Sequence, residues 1–255
     1  MRTRVIVSTL ALLLFAAHRA HCQEILIPLT IDGSVSGGYD SEWITDLTVY
    51  NGSEEEVIYV PPSCEPFLPA RFCIAPQSLP PKRSVKRDHL RKELPGPGVI
   101  LNILSGPADA LEFNLRVSDV SRSQENLGTE IPVVRARDAR IGVTNLLAVP
   151  TREEFRALLR IYDFDGRPET LFRVRIFDAT AENLVAETEL VTHGYSSYPH
   201  PDVISSPGYA EMPIPATPGG QGRIEITPMT RGSRFWAFAS VTNNITQMVT
   251  LVTPQ

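Results

Sequence analysis

Apolar residues recur at every second position in several short runs of this chain, and turn residues separate the runs. Trp43, Thr45, Leu47 and Val49 share one face. Leu111, Phe113, Leu115 and Val117 share another, opposed by Glu112, Asn114 and Arg116, and Phe172, Val174 and Ile176 alternate with Arg173, Arg175 and Phe177. A period of two marks a strand with one buried face. Asn51-Gly52, Gly96-Pro97-Gly98 and Asp165-Gly166 punctuate the runs with residues that tolerate tight turns. The chain is therefore predicted to be all-β.

One stretch occurs twice. Residues 41–60 read as two strands joined across Asn51-Gly52 and the solvated loop Glu54-Glu55-Glu56, and residues 142–163 return the pattern, with Gly142-Val143-Thr144-Asn145-Leu146 matching Trp43-Ile44-Thr45-Asp46-Leu47. Further on, Val241-Thr242-Asn243 matches Val117-Ser118-Asp119. The first match is offset by 99 residues (Ile44 to Val143) and the second by 124 (Val117 to Val241), so the second copy should carry 25 extra residues. Residues 192–221, rich in proline, glycine and tyrosine, are where they fall. Two tandem β-sandwich modules of related topology follow, over residues 23–135 and 136–255.

Within this frame, residues 99–104 and 111–117 are expected to form a hairpin, as are 223–227 and 234–241. Asp165-Gly166 reads as a hairpin turn leading into a meander over 172–177 and 184–191, and 248–252 closes the chain. Residues 61–97 hold many prolines and no clear strand, with a short solvated helix over 82–93 that Ser84 can cap. Its six basic residues are a solvated face, or a patch for a polyanion. Residues 151–162 satisfy both periods: Thr151 and Glu154 make a capping box, yet Phe155, Ala157, Leu159 and Ile161 alternate with polar and apolar partners. Strand is preferred for 157–162, because the matching segment 57–60 is short and β-branched.

The first 22 residues have the pattern of a secretory signal peptide: Arg2 and Arg4, an apolar run over 5–17, then small or polar residues to Cys22. That run is shorter than the roughly 20 residues a membrane span needs, so no membrane span and a secreted, periplasmic or cell-surface location are predicted. Cleavage falls after Ala20 or Cys22; His21 before the cysteine argues against a lipid anchor at Cys22. The chain carries 24 basic and 29 acidic residues, and losing the leader with Arg2, Arg4 and Arg19 leaves 21 basic residues, a net charge of −8. That excess disfavours nucleic acid as a partner. Cys64 and Cys73 are the two cysteines left, and in an exported chain they read as a disulfide pinning the proline-rich loop.

No nucleophile elbow, Ser-x-x-Lys, His-Glu-x-x-His or reactive Cys-His arrangement is present, so no catalytic residues, cofactor or metal are assigned and the chain is expected to be noncatalytic. His193, His200 and Asp202 share a loop without a ligand spacing, and Asp163-Phe164-Asp165-Gly166 lacks the distal acidic ligands of a calcium loop. Asn51-Gly52-Ser53 and Asn244-Ile245-Thr246 fit the glycosylation sequon. Aromatic placement is the one asymmetry between the copies. Phe235, Ala237, Ala239 and Val241 occupy the inner positions, which leaves Trp236 and Phe238 facing outward where the first copy has Glu112 and Asn114. Outward rings imply a contact surface, covered by the other module, by the 192–221 loop, or by an external ligand. With Tyr195 and Tyr198 they are the candidate binding residues.

The strand pattern, turn signals and export signal resemble the immunoglobulin-like and fibronectin-type-III-like sandwiches that serve as modules of secreted bacterial proteins. The resemblance implies an immunoglobulin-like sandwich fold and a binding, adhesion or assembly role toward a protein or glycan partner. A carbohydrate-binding accessory module or an extracellular hydrolase is the alternative. Fold alone grants neither.

Overall fold

The computed structural model describes residues 23–29, 32–36, 41–59, 76–87, 98–121, 128–194, 204–205 and 207–255. The chain is all-β: no α-helix occurs among the described residues, and Ala108–Ala110 and Ala136–Asp138 form single 3-10 turns. The N-terminal half supplies β1 (Gln23–Pro28), β2 (Asp32–Ser36), β3 (Glu42–Asn51), β4 (Val57–Tyr59), β5 (Gln77–Leu79), β6 (Ser84–Arg87), β7 (Gly98–Ser105), β8 (Leu111–Asp119), β9 (Thr129–Ile131) and β10 (Val134–Arg135). The C-terminal half supplies β11 (Thr144–Pro150), β12 (Phe155–Asp163), β13 (Glu169–Asp178), β14 (Leu184–His193), β15 (Ile204–Ser205), β16 (Gly208–Pro213), β17 (Gln221–Pro228), β18 (Phe235–Asn243) and β19 (Val249–Val252).

These strands make three antiparallel sheets. The first has the order β10-β1-β7-β4-β5 and the second β2-β3-β8-β9, with β6 also on β3. The third, β11-β17-β13-β14-β16-β12-β18-β19, comes wholly from the C-terminal half. It curls into a nearly closed barrel. Arg140, just before β11, and Phe235, at the head of β18, exchange both backbone hydrogen bonds (2.7 and 2.8 Å). Inward side chains fill the barrel, with Phe172 and Phe235 edge to face at 5.0 Å among Leu159, Ile161, Ile176 and Ile224.

A second apolar cluster joins the halves. Leu47, Val49, Leu115 and Val117 of the second sheet pack toward the first, and Tyr162, Trp236 and Phe238 from the outside of the barrel belong to the same cluster. The first sheet therefore lies between two layers. Ile25-Leu26-Ile27 of β1 and Val99-Ile100-Leu101 of β7 are buried at successive positions, as expected of strands covered on both faces. β15, from the inserted stretch, adds to β7 of this sheet.

Alternation specifies which face a strand buries, not which strand it pairs with, and the expected hairpins are corrected on that point. β3 and β4 sit in different sheets, as do β7 and β8; β12 is not paired with β13, nor β17 with β18. The chain passes from one layer or wall to another instead. β13 and β14 pair directly as the meander predicts, and β8 with β9 and β18 with β19 are also neighbours in sequence that pair. The matched segments also pair differently: β3 with β8 and β4 with β7 in the first half, but β11 with β17 and β12 with β18 in the second.

Buried Asx side chains end four of the strands, two of them, β3 and β12, at these crossings. Asn51, fully buried at the end of β3, donates its amide to Glu55 O (2.7 Å), Leu79 O (3.0 Å) and Pro80 O (3.2 Å), while its Oδ1 accepts from Ser53 N and Oγ. The Asn51 sequon is thus structural. Asp119, Asp163 and Asp178 end β8, β12 and β13 in the same way, each accepting from the backbone N–H two residues on.

Three further expectations change. Residues 84–87 are strand rather than helix, because Val85 lies against the apolar cluster while β6 pairs with β3. The 61–97 stretch also contains β5. The 192–221 loop contains β16, which pairs along β12 for six residues. Residues 155–163 are one strand, in the preferred sense, and Thr151 bonds Thr217 rather than capping a helix.

Candidate functional site

The outward faces of β16, β12 and β18 form a ladder whose rungs follow from the register. Tyr209, Tyr162 and Trp236 align; then Glu211, Arg160 and Phe238; then Pro213, Leu158 and Ser240. The last rung sets Arg156 beside Thr242, with Val249 of β19 next to it. One face thus changes from aromatic to aliphatic and polar along its length.

The aromatic end is dry. Tyr162 and Phe238 are fully buried, their rings stacked with centroids 6.2 Å apart, and Trp236 (6% exposed) lies 5.1 Å from Phe238. Tyr162 lies over the start of β7, where Gly98 makes room: a Cβ there would stand 2.9 Å from Tyr162 Cε1 and 3.2 Å from Ile27 O. Burial pushes the Tyr162 and Tyr209 hydroxyls well above their ordinary range. An ion pair from Arg234 to Glu24 (3.0 Å) links the halves at this end, and Asp165, within the C-terminal half, holds the same guanidinium at 2.8 Å.

At the other end the halves part. β1 stops at Pro28, and Leu29, in the left-handed region at φ 57°, carries the chain from the first sheet toward the second. Its carbonyl accepts from Thr45 Oγ1 at 2.7 Å. Beyond it a cleft of about 540 Å³ opens between Leu29, Trp43, Val117 and Ile131 on one side and the Arg160–Leu158–Arg156 file of β12 on the other. Thr129 Oγ1, on β9, donates to Val249 O (2.8 Å) and ties the two walls.

Two arginines stand in the cleft. Arg156 donates to Asn244 Oδ1 (3.1 Å) and Gln247 Oε1 (2.9 Å). Arg160 donates from Nη1 to Ser240 Oγ, sits over the Phe238 ring at 5.8 Å, and has Nε 3.7 Å from Glu211 Oε2. That Nε is buried and makes no hydrogen bond. Glu211 itself accepts from the Tyr209 hydroxyl.

Trp236 and Phe238 do face away from the barrel interior, but both are buried against the N-terminal half, which removes them as a free contact surface. Trp43, read as core, is half-buried and forms a cleft wall, its indole N–H donating to Ser41 Oγ (2.9 Å). Tyr195, Tyr198, His200, Asp202, Cys22 and the Cys64–Cys73 pair lie outside the described residues, as does the 1–22 leader. Among the described residues no group of three His, Cys, Asp or Glu side chains could hold a metal, and no helix is long and apolar enough to cross a membrane. The cleft escapes sequence reading because its lining comes from seven separate strands and the residues just after β1 and β16. Its one visible trace is the outward pair Arg156 and Arg160 in an otherwise apolar strand. No protein-family model matches the chain, and no curated protein or solved structure matches it either.

Proposed function

We propose that this chain is an exported, noncatalytic binding protein that takes a small ligand in the cleft between its two halves. The observation that carries this reading is the cleft itself: about 540 Å³, walled by both halves, with ten of its fourteen lining residues apolar. Ligand sites are typically clefts of roughly 300–1,000 Å³ at such seams, lined by apolar side chains with a few polar groups. The two face-to-face sheets of the first half support an immunoglobulin-like sandwich carrying one wall of the site.

The test uses the neutral apolar fluorophore N-phenyl-1-naphthylamine. Saturable, one-to-one binding to the purified chain is expected, with loss of binding in Leu158→Trp, which fills the cleft from its floor. An unchanged denaturation midpoint in that variant separates filling from unfolding. Absence of saturable binding by the native chain overturns the proposal.

A further inference from the structure

We infer that the ligand is a free single-chain amphiphile with an anionic head, and that Arg160 binds the head. This rests on the cleft being a ligand site. The lining contains two arginines, two hydroxyl residues and no carboxylate, so its polar groups carry one sign of charge. In an apolar surround a fixed cation attracts an anion far more strongly than in water. A cationic amphiphile would meet the same field as repulsion.

Arg160 is the arginine placed to bind a head. Its side chain is 15% exposed, so most of its solvation has been given up on folding. Among the described residues its Nε is shielded and makes no hydrogen bond, and Nη1 has only Ser240 Oγ. The guanidinium, a charged group costly to leave short of partners, therefore keeps hydrogen-bonding capacity at its terminal nitrogens for an incoming oxygen. Glu211 does not complete it: its carboxylate stands 3.7 Å away and accepts instead from Tyr209. Ser240 Oγ, one rung along, fixes Nη1 and aims the guanidinium fork. A carboxylate, sulfate or phosphate monoester oxygen accepting from this fork makes a charge-assisted pair. The tail then lies along Leu158 toward Trp43, Val117 and Ile131, the apolar wall opposite.

Displacement of N-phenyl-1-naphthylamine by three probes of equal tail tests this: dodecanoate, dodecanol and dodecyltrimethylammonium. Dodecanoate is expected to displace about tenfold more tightly than dodecanol, a size typical of one charge-assisted contact, and dodecyltrimethylammonium more weakly than either. Arg160→Gln should bring dodecanoate and dodecanol within roughly twofold, while Arg160→Lys keeps part of the preference. The head comparison in the native chain needs no variant, so a misfolded Arg160→Gln leaves the test intact. If the fluorophore binds but the three heads compete equally, the anionic-head inference falls and the cleft reading stands. If the fluorophore does not bind, both fall. Cosedimentation with phosphatidylglycerol vesicles without displacement by dodecanoate also overturns the inference, because the head would then be read at a bilayer surface.

Discussion

The two ends of the β16-β12-β18 face share a register, a barrel and the same opposing half, yet one end is a dry seam and the other a cleft. At the dry end Tyr162, Trp236 and Phe238 meet the flat backbone of β1 and β7, where Gly98 lets a ring lie against the chain. At the open end β1 has ended, and Leu29 in the left-handed region leads the chain off toward the second sheet. The side chains facing Arg156 and Leu158 are then Trp43, Val117 and Ile131, with space between. One strand end therefore decides whether the halves close or part. Large aromatic faces hold them together on one side, which lets the other side stay open without loss of the assembly.

The strongest way to break this contrast is to remove the largest fully buried ring of the seam on β18. Phe238→Ala deletes a ring that stacks on Tyr162, contacts Trp236 and carries the Arg160 guanidinium. Burial at 0% exposure predicts a loss of about 3–5 kcal/mol. Because the ring belongs to a cluster shared by both halves, urea unfolding should remain a single transition at a lower midpoint. Two separated transitions would show that the seam does not couple the halves.

Alkali should act on the same end, less strongly. Tyr162 is fully buried, and burial raises its hydroxyl above the ordinary value of 10. Below pH 10 the group is neutral whether folded or unfolded and contributes no pH dependence. Above it the unfolded chain releases the proton first, so stability falls as pH rises toward the folded-state value, by up to about 1.4 kcal/mol per pH unit. Tyr162→Phe is expected to flatten the midpoint between pH 10 and 11 relative to the native chain. An unaltered slope would show that this hydroxyl reaches solvent.

How much of this contrast was legible in sequence depends on what alternation can report. The strands at 111–119 and 169–178 were readable because each alternates about one buried face, and 235–243 was readable from its inner positions although both of its faces are buried over seven residues. The pairings were not: a strand's pattern is the same whether its neighbour in sequence folds beside it or crosses to another layer. One crossing did leave a local trace, in Asn51-x-Ser53, where the hydroxyl joins the backbone N–H on the same carboxamide oxygen. Asp119-x-Ser121 and Asp178-x-Thr180 do the same at connections whose strands pair directly, so the motif marks a strand end and not a crossing. Asn51-Gly52 resembled a hairpin turn because the side chain's three carbonyl partners lie up to 29 residues away. Trp236 and Phe238 were legible as outward rings, since the inner positions of their strand were already filled. What covers them was not, because β1 and β7 look like any other buried strands.

The smallest effect belongs to the open end, and its smallness is the point. Leu158 sits on the same strand as Tyr162, four residues away on the same face, but is only partly buried and borders open volume. Truncating it removes few packed contacts, since one side of the side chain already faces the cleft. Leu158→Ala should therefore cost less than about 1 kcal/mol, against the several expected at Phe238. The same substitution lengthens the apolar floor available to a tail, so it should be felt in binding of the fluorophore while the urea midpoint barely moves. A cost as large as that of Phe238→Ala would mean the two ends are equally packed, and the cleft would then be a seam like the other.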